Sequence, residues 1–366
     1  MTVDGLNQRL SRLHREVCEY FPFVVRISVA LHDPQTDEIK TFLHSPIDET
    51  PLAHYRVPLS QAGWLNNVRE SRRSRVIGEL EPATLGKQAH SLRILAAGYK
   101  ASYTVPIFDE NRFLGFVFFN SDKSGVFSDR VTRQLDLFVR IISLTIESAL
   151  RFVDILVGSL NLLREISGFR DVETSSHLSR MSYYSEIIAR EAAPELGQPD
   201  TWVEYLRLFA PLHDIGKIAT PDAILLKAGR LNDAEYEIMK QHAAKGEAIV
   251  TTLIDALALG SLPHVECLRN IARHHHERWD GSGYPDGLRG DQIPPEARIA
   301  RIADVFDALT SRRCYKEAWP VETARKYVEE RAGTEFDPRF SEIFLSRNEK
   351  IAEIMGRFKE ESSEAT

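Results

Sequence analysis

Leu135, Val139, Ile142, Ile146, Ala149, Val153, Leu156, Leu160 and Leu163 follow one another at intervals that alternate between four and three without a break. A pattern sustained beyond three heptads demands one continuous helix with a single apolar seam. Such a helix divides the chain into a part before it and a part after it. The seam predicts a parallel coiled coil, and hence a homodimer joined through the linker helix. One face of a helix packed on its own domain would give the same spacing. The length of 366 residues fits two domains and a helical connector.

Before the seam, the chain reads as mixed α/β. Residues 26–32 alternate apolar with polar or small side chains, as a half-buried strand does. Asp33-Pro34-Gln35-Thr36-Asp37 is turn chemistry, and residues 39–43 resume a strand. Residues 102–108 and 113–119 form a second pair, with Asp109 to Arg112 as a four-residue hairpin connection. Ser128-Asp129 opens the long helix. After Glu165 the chain reads as nearly all helix. Asn232 is placed to cap a helix through Val250, with Glu235 at the capping-box position, and Pro294-Pro295 opens another through Leu309.

Chemistry concentrates in this helical part. Seven of the twelve histidines are His177, His213, His242, His264 and the run 274–276. Imidazole is the commonest metal ligand, and adjacent histidines at a helix end can serve two ions. His275-His276-Glu277 leads into Arg278-Trp279-Asp280-Gly281-Ser282-Gly283-Tyr284-Pro285, a glycine-rich turn. His213-Asp214 is flanked by apolar residues, so its charge is buried and needs a partner, and an aspartate can bridge two cations. Glu173 and His177 share a helix face at a spacing of four. Asp304 lies inside the apolar helix Ile302 to Leu309, and Asp307 one turn further on is assigned a supporting role. His264 reads as structural and His274 as flanking. The ligand set is therefore Glu173, His177, His213, Asp214, His242, His275, His276 and Asp304. Mixed imidazole and carboxylate without thiolate suits two or three divalent ions, iron or manganese in preference to zinc.

These segments resemble the HD-GYP family of the HD phosphohydrolase superfamily over about residues 160 to 350. The resemblance rests on His213-Asp214-Ile215-Gly216-Lys217, Met239-Lys240-Gln241-His242, the 275–285 run and Asp304 to Ser311. It implies a metal-dependent phosphodiesterase of bacterial second-messenger signalling. Its substrate would be cyclic di-GMP, opened by a metal-bridging hydroxide to linear pGpG and on to GMP. Asp214 and Lys217 would be catalytic. Lys217, Tyr284, Arg313 and Lys316 would bind substrate. Where the family has Glu-Thr-Gly-x-His this chain has Glu173-Thr174-Ser175-Ser176-His177, and for Arg-Pro-Tyr-Lys it has Arg313-Cys314-Tyr315-Lys316. The part before the seam resembles a GAF domain, which implies a sensory or dimerisation role and an unknown small-molecule effector. The fold expected is α+β and multidomain: a GAF-like domain at 1–130, a coiled-coil linker at 131–165 and an all-α HD-type domain at 166–366. Two other readings stay open, a catalytically silent scaffold and a hydrolase of another cyclic dinucleotide such as cyclic GMP-AMP.

Composition narrows the partners. A formal net charge of -7 disfavours a nucleic acid polymer bound on a basic surface, but permits an anion in a local basic pocket. No apolar run reaches the roughly 18 residues of a membrane span. Met1 to Arg15 lacks an apolar signal-peptide core. Cys18, Cys267 and Cys314 have no metal-like spacing and fit a reducing compartment, so the expected location is the cytoplasm.

Overall fold

The computed structural model describes residues 5–46, 55–81, 94–166, 174–260, 264–311 and 318–359. It separates into two compact units, Met1–Arg151 and Phe152–Thr366, with the helix Asp129–Ile166 running across the boundary. The helix starts where Ser128-Asp129 predicts.

The first unit is built on a six-stranded antiparallel sheet of β1 (Val24–Asp33), β2 (Glu38–Ser45), β3 (Arg56–Pro58), β4 (Arg75–Ile77), β5 (Ala101–Asp109) and β6 (Arg112–Ser121). Their order across the sheet is β3-β2-β1-β6-β5-β4. β1, β2, β5 and β6 were legible as strands, because branched and aromatic side chains fit a pleated, half-buried surface. In the β5–β6 hairpin Asp109 pairs with Arg112, so the connection is shorter than expected, with Glu110 at φ 50°. Ile39, Val57, Leu65 and Phe116 pack together, burying the Gly63–Ser71 helix on the sheet. The helix Gly5–Tyr20 was not foreseen. It buries Leu6, Leu10 and Val17, and its His14 joins the sheet by donating from Nε2 to the Val24 carbonyl and bonding Ser45 Oγ.

The apolar seam behaves differently from the coiled-coil expectation. In the first unit Leu135, Val139, Ile142, Ile146 and Ala149 are buried within the single chain, and in the second Val153, Leu156 and Leu160 are too. The seam is thus covered without a second copy; Leu163 has its side chain outside the described residues. A different stripe of the same helix, Leu137, Ile141, Leu144, Ile155 and Leu162, is exposed.

The second unit is helical, and among its described residues the only β pairing is a single bridge between Ala332 and Phe336. The helices that matter for the site are Ser175–Ala192, Asp233–Ala256, Val265–His274 and Pro295–Thr310. Asn232 forms the expected capping box: its Oδ1 accepts from the Glu235 amide at 2.9 Å and its amide donates to Glu235 Oε2 at 2.8 Å. Tyr184, Phe306 and Phe344 meet edge to face, with ring centres 4.9–5.7 Å apart. Each such pair adds about 0.5–1.5 kcal/mol beyond area burial. Together they lock the Ser175–Ala192 helix against Pro295–Thr310, and so fix His177 relative to Asp304.

Candidate metal centre

Three histidines are oriented by their own local turn. His213 Nδ1 donates to the Ala210 carbonyl at 3.1 Å, His242 Nδ1 to Met239 at 2.8 Å, and His275 Nδ1 to Ile271 at 2.9 Å. A carbonyl only accepts, so Nδ1 carries the proton and Nε2 keeps its lone pair. Burial pushes the His275 imidazole down to about 4, and His276 well below its ordinary value, so both are neutral at physiological pH.

These lone pairs converge on Asp214. His242 Nε2 is 3.1 Å and His275 Nε2 3.5 Å from Asp214 Oδ1, and the two Nε2 atoms are 3.4 Å apart. Groups that are all acceptors cannot satisfy one another, and a cation among them is what this donor set fits. The other carboxylate oxygen, Oδ2, faces His213 Nε2 at 3.3 Å and Lys217 Nζ at 2.6 Å. Burial would raise the Asp214 carboxyl, but the Lys217 ammonium, with the neighbouring imidazoles of His213 and His242, outweighs it and holds it well below the usual range. Two sets of side chains could each hold an ion: Asp214, His242, His275 and His276, and His177, His213 and Asp304. Asp214 lies between them, one oxygen toward each. The Val265–His274 helix also ends here, with its partially negative carbonyl end toward the ligands.

His177 is held from behind. Its Nδ1 lies 2.7 Å from Asp307 Oδ2, and Arg180 grips Asp307 with Nε at 2.5 Å and a terminal nitrogen at 3.0 Å. Asp307 is completely buried. Burial pushes its carboxyl up, but the bonds from His177 and Arg180 keep it low and charged. Such a carboxylate fixes the ring and raises the basicity of the ligating nitrogen. Asp307→Asn is expected to weaken the ion at the His177 group by about 10–100-fold, with the His275 group retained. Metal content after graded chelation reads this directly, and unchanged retention would remove Asp307 from the role.

The loop after the histidines is clamped by Glu277. Its Oε1 accepts the Asp286 amide at 2.7 Å and its Oε2 the Leu288 amide at 3.1 Å. A Cβ on Gly283 would lie 2.4 Å from the Arg278 amide nitrogen, so only glycine lets the loop fold back this far. The fold-back lays Tyr284 over His276, with ring centres 4.7 Å apart at 26°. Gly216 makes a second close approach: its Cβ would fall 1.9 Å from the His242 carbonyl oxygen and 2.5 Å from the Gly246 amide. That contact sets His213-Asp214 against His242.

Seven of the eight ligands proposed from sequence are thus gathered; Glu173 lies outside the described residues, as do Arg313 and Lys316. His264 is structural as expected: its Nε2 lies 2.9 Å from Thr201 Oγ1, and burial drives it to about 4. His274 faces Glu277 and Asp286, whose carboxylates are already held by backbone amides and by Arg273. Sequence reasoning missed the Gly216–Gly246 contact, the Glu277 clamp and Arg180. A glycine inside the helical pattern at 246 was the one available signal for the first.

The fold and these two groups define a largely helical domain lined by histidines and aspartates that could hold metal ions. Residues 172–340 match the family model described as HD domain. The cyclic di-GMP phosphodiesterase response regulator RpfG of Xanthomonas campestris pv. campestris is 41% identical over 206 residues, covering 56% of this chain and 51% of that protein. The 3'3'-cGAMP-specific phosphodiesterase 2 of Vibrio cholerae serotype O1 is 34% identical over 253 residues, covering 65% of this chain and 46% of that protein. The chain spans about half the length of the curated relatives it matches. The solved GAF domain/HD domain protein from Geobacter sulfurreducens aligns with 40% of this chain and 93% of that chain, at 19% identity and a TM-score of 0.32. Among the described residues no helix is long and apolar enough to cross a membrane.

Proposed function

We propose that this protein is a metal-dependent phosphodiesterase that opens cyclic di-GMP to linear pGpG and carries it on to GMP. The observation that carries the reading is the Asp214 carboxylate shared between two groups of buried imidazoles and carboxylates. The 41% identity to a protein named as a cyclic di-GMP phosphodiesterase supports the substrate. Divalent ions at these groups, iron or manganese by ligand type, would supply acidified water and offset charge on the phosphate. A third ion would rest on Glu173. Around them, Lys217 is placed to neutralise a non-bridging phosphate oxygen, because its ammonium already stands at the Asp214 edge. Tyr284 orients a guanine by stacking. Arg313 and Lys316 take a phosphate or base edge.

The first unit would act as the GAF-like sensory domain, 1–130, passing its state through the 131–165 linker to the 166–366 phosphodiesterase domain. A cavity lined by Arg26, Ser28, Thr41, Trp64, Ser102 and Asn120 supports a small-molecule effector there. The homodimer would form through the exposed stripe of Leu137, Ile141, Leu144, Ile155 and Leu162. The free thiols of Cys18 and Cys267 favour a cytoplasmic protein.

The 34% identity to a protein named as specific for 3'3'-cGAMP favours one second reading, the same chemistry on that mixed dinucleotide. Anaerobically purified protein should carry at least two iron or manganese ions per chain and convert cyclic di-GMP to pGpG or GMP on chromatography. Faster conversion of 3'3'-cGAMP would select the second reading. Full metal occupancy without turnover of either would point to another substrate or to an inhibited state awaiting its N-terminal signal, and absence of bound metal with no activity after reconstitution to a silent scaffold.

A further inference from the structure

Tyr236 and Lys240, used by neither ligand group, stand with Tyr284 at the edge of the site. They lie one turn apart on the Asp233–Ala256 helix, which also carries His242. The Lys240 ammonium is 5.3 Å from the centre of the Tyr236 ring and 5.7 Å from that of Tyr284. Tyr284 in turn lies on His276, so this cation is one ring away from a metal ligand. Tyr236 is 48% exposed, an open aromatic face beside the site. The ion pair of Lys240 is with Glu237, whose side chain is 68% exposed, an arrangement that solvent screens and an incoming anion can displace.

We infer that Tyr236, Lys240 and Tyr284 form a second subsite, which holds the half of a cyclic dinucleotide that is not at the ligand groups. The inference rests on the phosphodiesterase reading above. A cyclic dinucleotide carries two phosphodiesters, and while one is being cut the other is an anion that must be held still. Lys240 meets that second phosphate. Two aromatic faces restrain the ammonium without cancelling its charge, as a buried carboxylate would. The open face of Tyr236 takes the attached base, since every nucleobase offers a face for stacking.

The test compares cyclic di-GMP with bis(p-nitrophenyl) phosphate, a diester with one phosphate and no base, on the manganese-loaded full chain. Lys240→Gln and Tyr236→Leu are each expected to raise KM for cyclic di-GMP about tenfold, the loss of one charge-assisted or stacking contact. The ratio of kcat/KM between the two substrates should fall by the same factor. Metal content should stay at the wild-type value, and Lys240→Arg should recover most of the loss. An unchanged ratio, whether both substrates decline together or neither does, overturns the subsite. Wild-type protein that cleaves the small diester but not cyclic di-GMP also overturns it, and leaves the hydrolytic chemistry standing. Cleavage of neither substrate refutes the phosphodiesterase reading and the subsite with it.

Discussion

Asp214→Asn is expected to lower turnover by roughly a thousandfold or more and to strip metal from both ligand groups. The substitution keeps the shape of the side chain and removes its charge. It leaves His242 and His275 converging on a neutral amide, and exchanges the Oδ2 that faces His213 and Lys217 for a group of different hydrogen bonding. Charge stabilisation by bound ions is worth several kcal/mol in the transition state, and each 1.36 kcal/mol is a factor of ten in rate. Metal analysis and a turnover assay on the same sample check both halves of the expectation. A variant that kept its metal and its activity would show that the shared carboxylate does not organise the centre.

Gly216→Ala should be nearly as damaging, by a different route. The new methyl would meet the backbone of the Asp233–Ala256 helix at 1.9 Å, where no side-chain rotation gives relief. Overpacking of this kind costs about 1–3 kcal/mol and at times more, which in a domain of this size lowers Tm by roughly 2–12 °C. The larger consequence is geometric. The helix must move away from the turn that carries His213 and Asp214, and a displacement near 1 Å can cost about a hundredfold in rate. Gly356→Ala is the control, since nothing lies within 4 Å of a Cβ there and the residue is helical. It should be neutral or slightly stabilising. Thermal melts and metal content of the two variants separate packing from helix propensity, and equal behaviour would count against the close-approach argument.

The candidate ligands were legible because their chemistry is local. His213-Asp214 in an apolar setting, the paired histidines before a glycine turn, and Asp304 inside an apolar helix each violate the burial rule in a way that only a partner resolves. Even their orientation is local, since three Nδ1 atoms bond carbonyls three or four residues upstream. Gly216 was not legible, because its constraint comes from a helix that sequence cannot place beside it. Lys240 and Tyr236 were hidden for the same reason, since their relation to Tyr284 exists only after the loop folds back. The linker seam shows a third kind of limit. Periods of 3.5 and 3.6 diverge by about 20° per heptad, so a stripe of this length fits both a coiled coil and a core face. The burial of Leu135 to Ala149 identifies the core face, and the exposed stripe through Leu137 and Ile141 was overlooked because its polar gaps break the run. Strands β3 and β4, of three residues each, carry too few alternations to register as strands.

One carboxylate set between two candidate ligand groups would couple their occupancy. Whatever an ion held on one side did to the affinity of the other side, an ion on the other side would do in return, by thermodynamic reciprocity. The same linkage acts on inheritance: a change at Asp214 reaches both groups at once, whereas a change at Asp307 reaches only the side that holds His177.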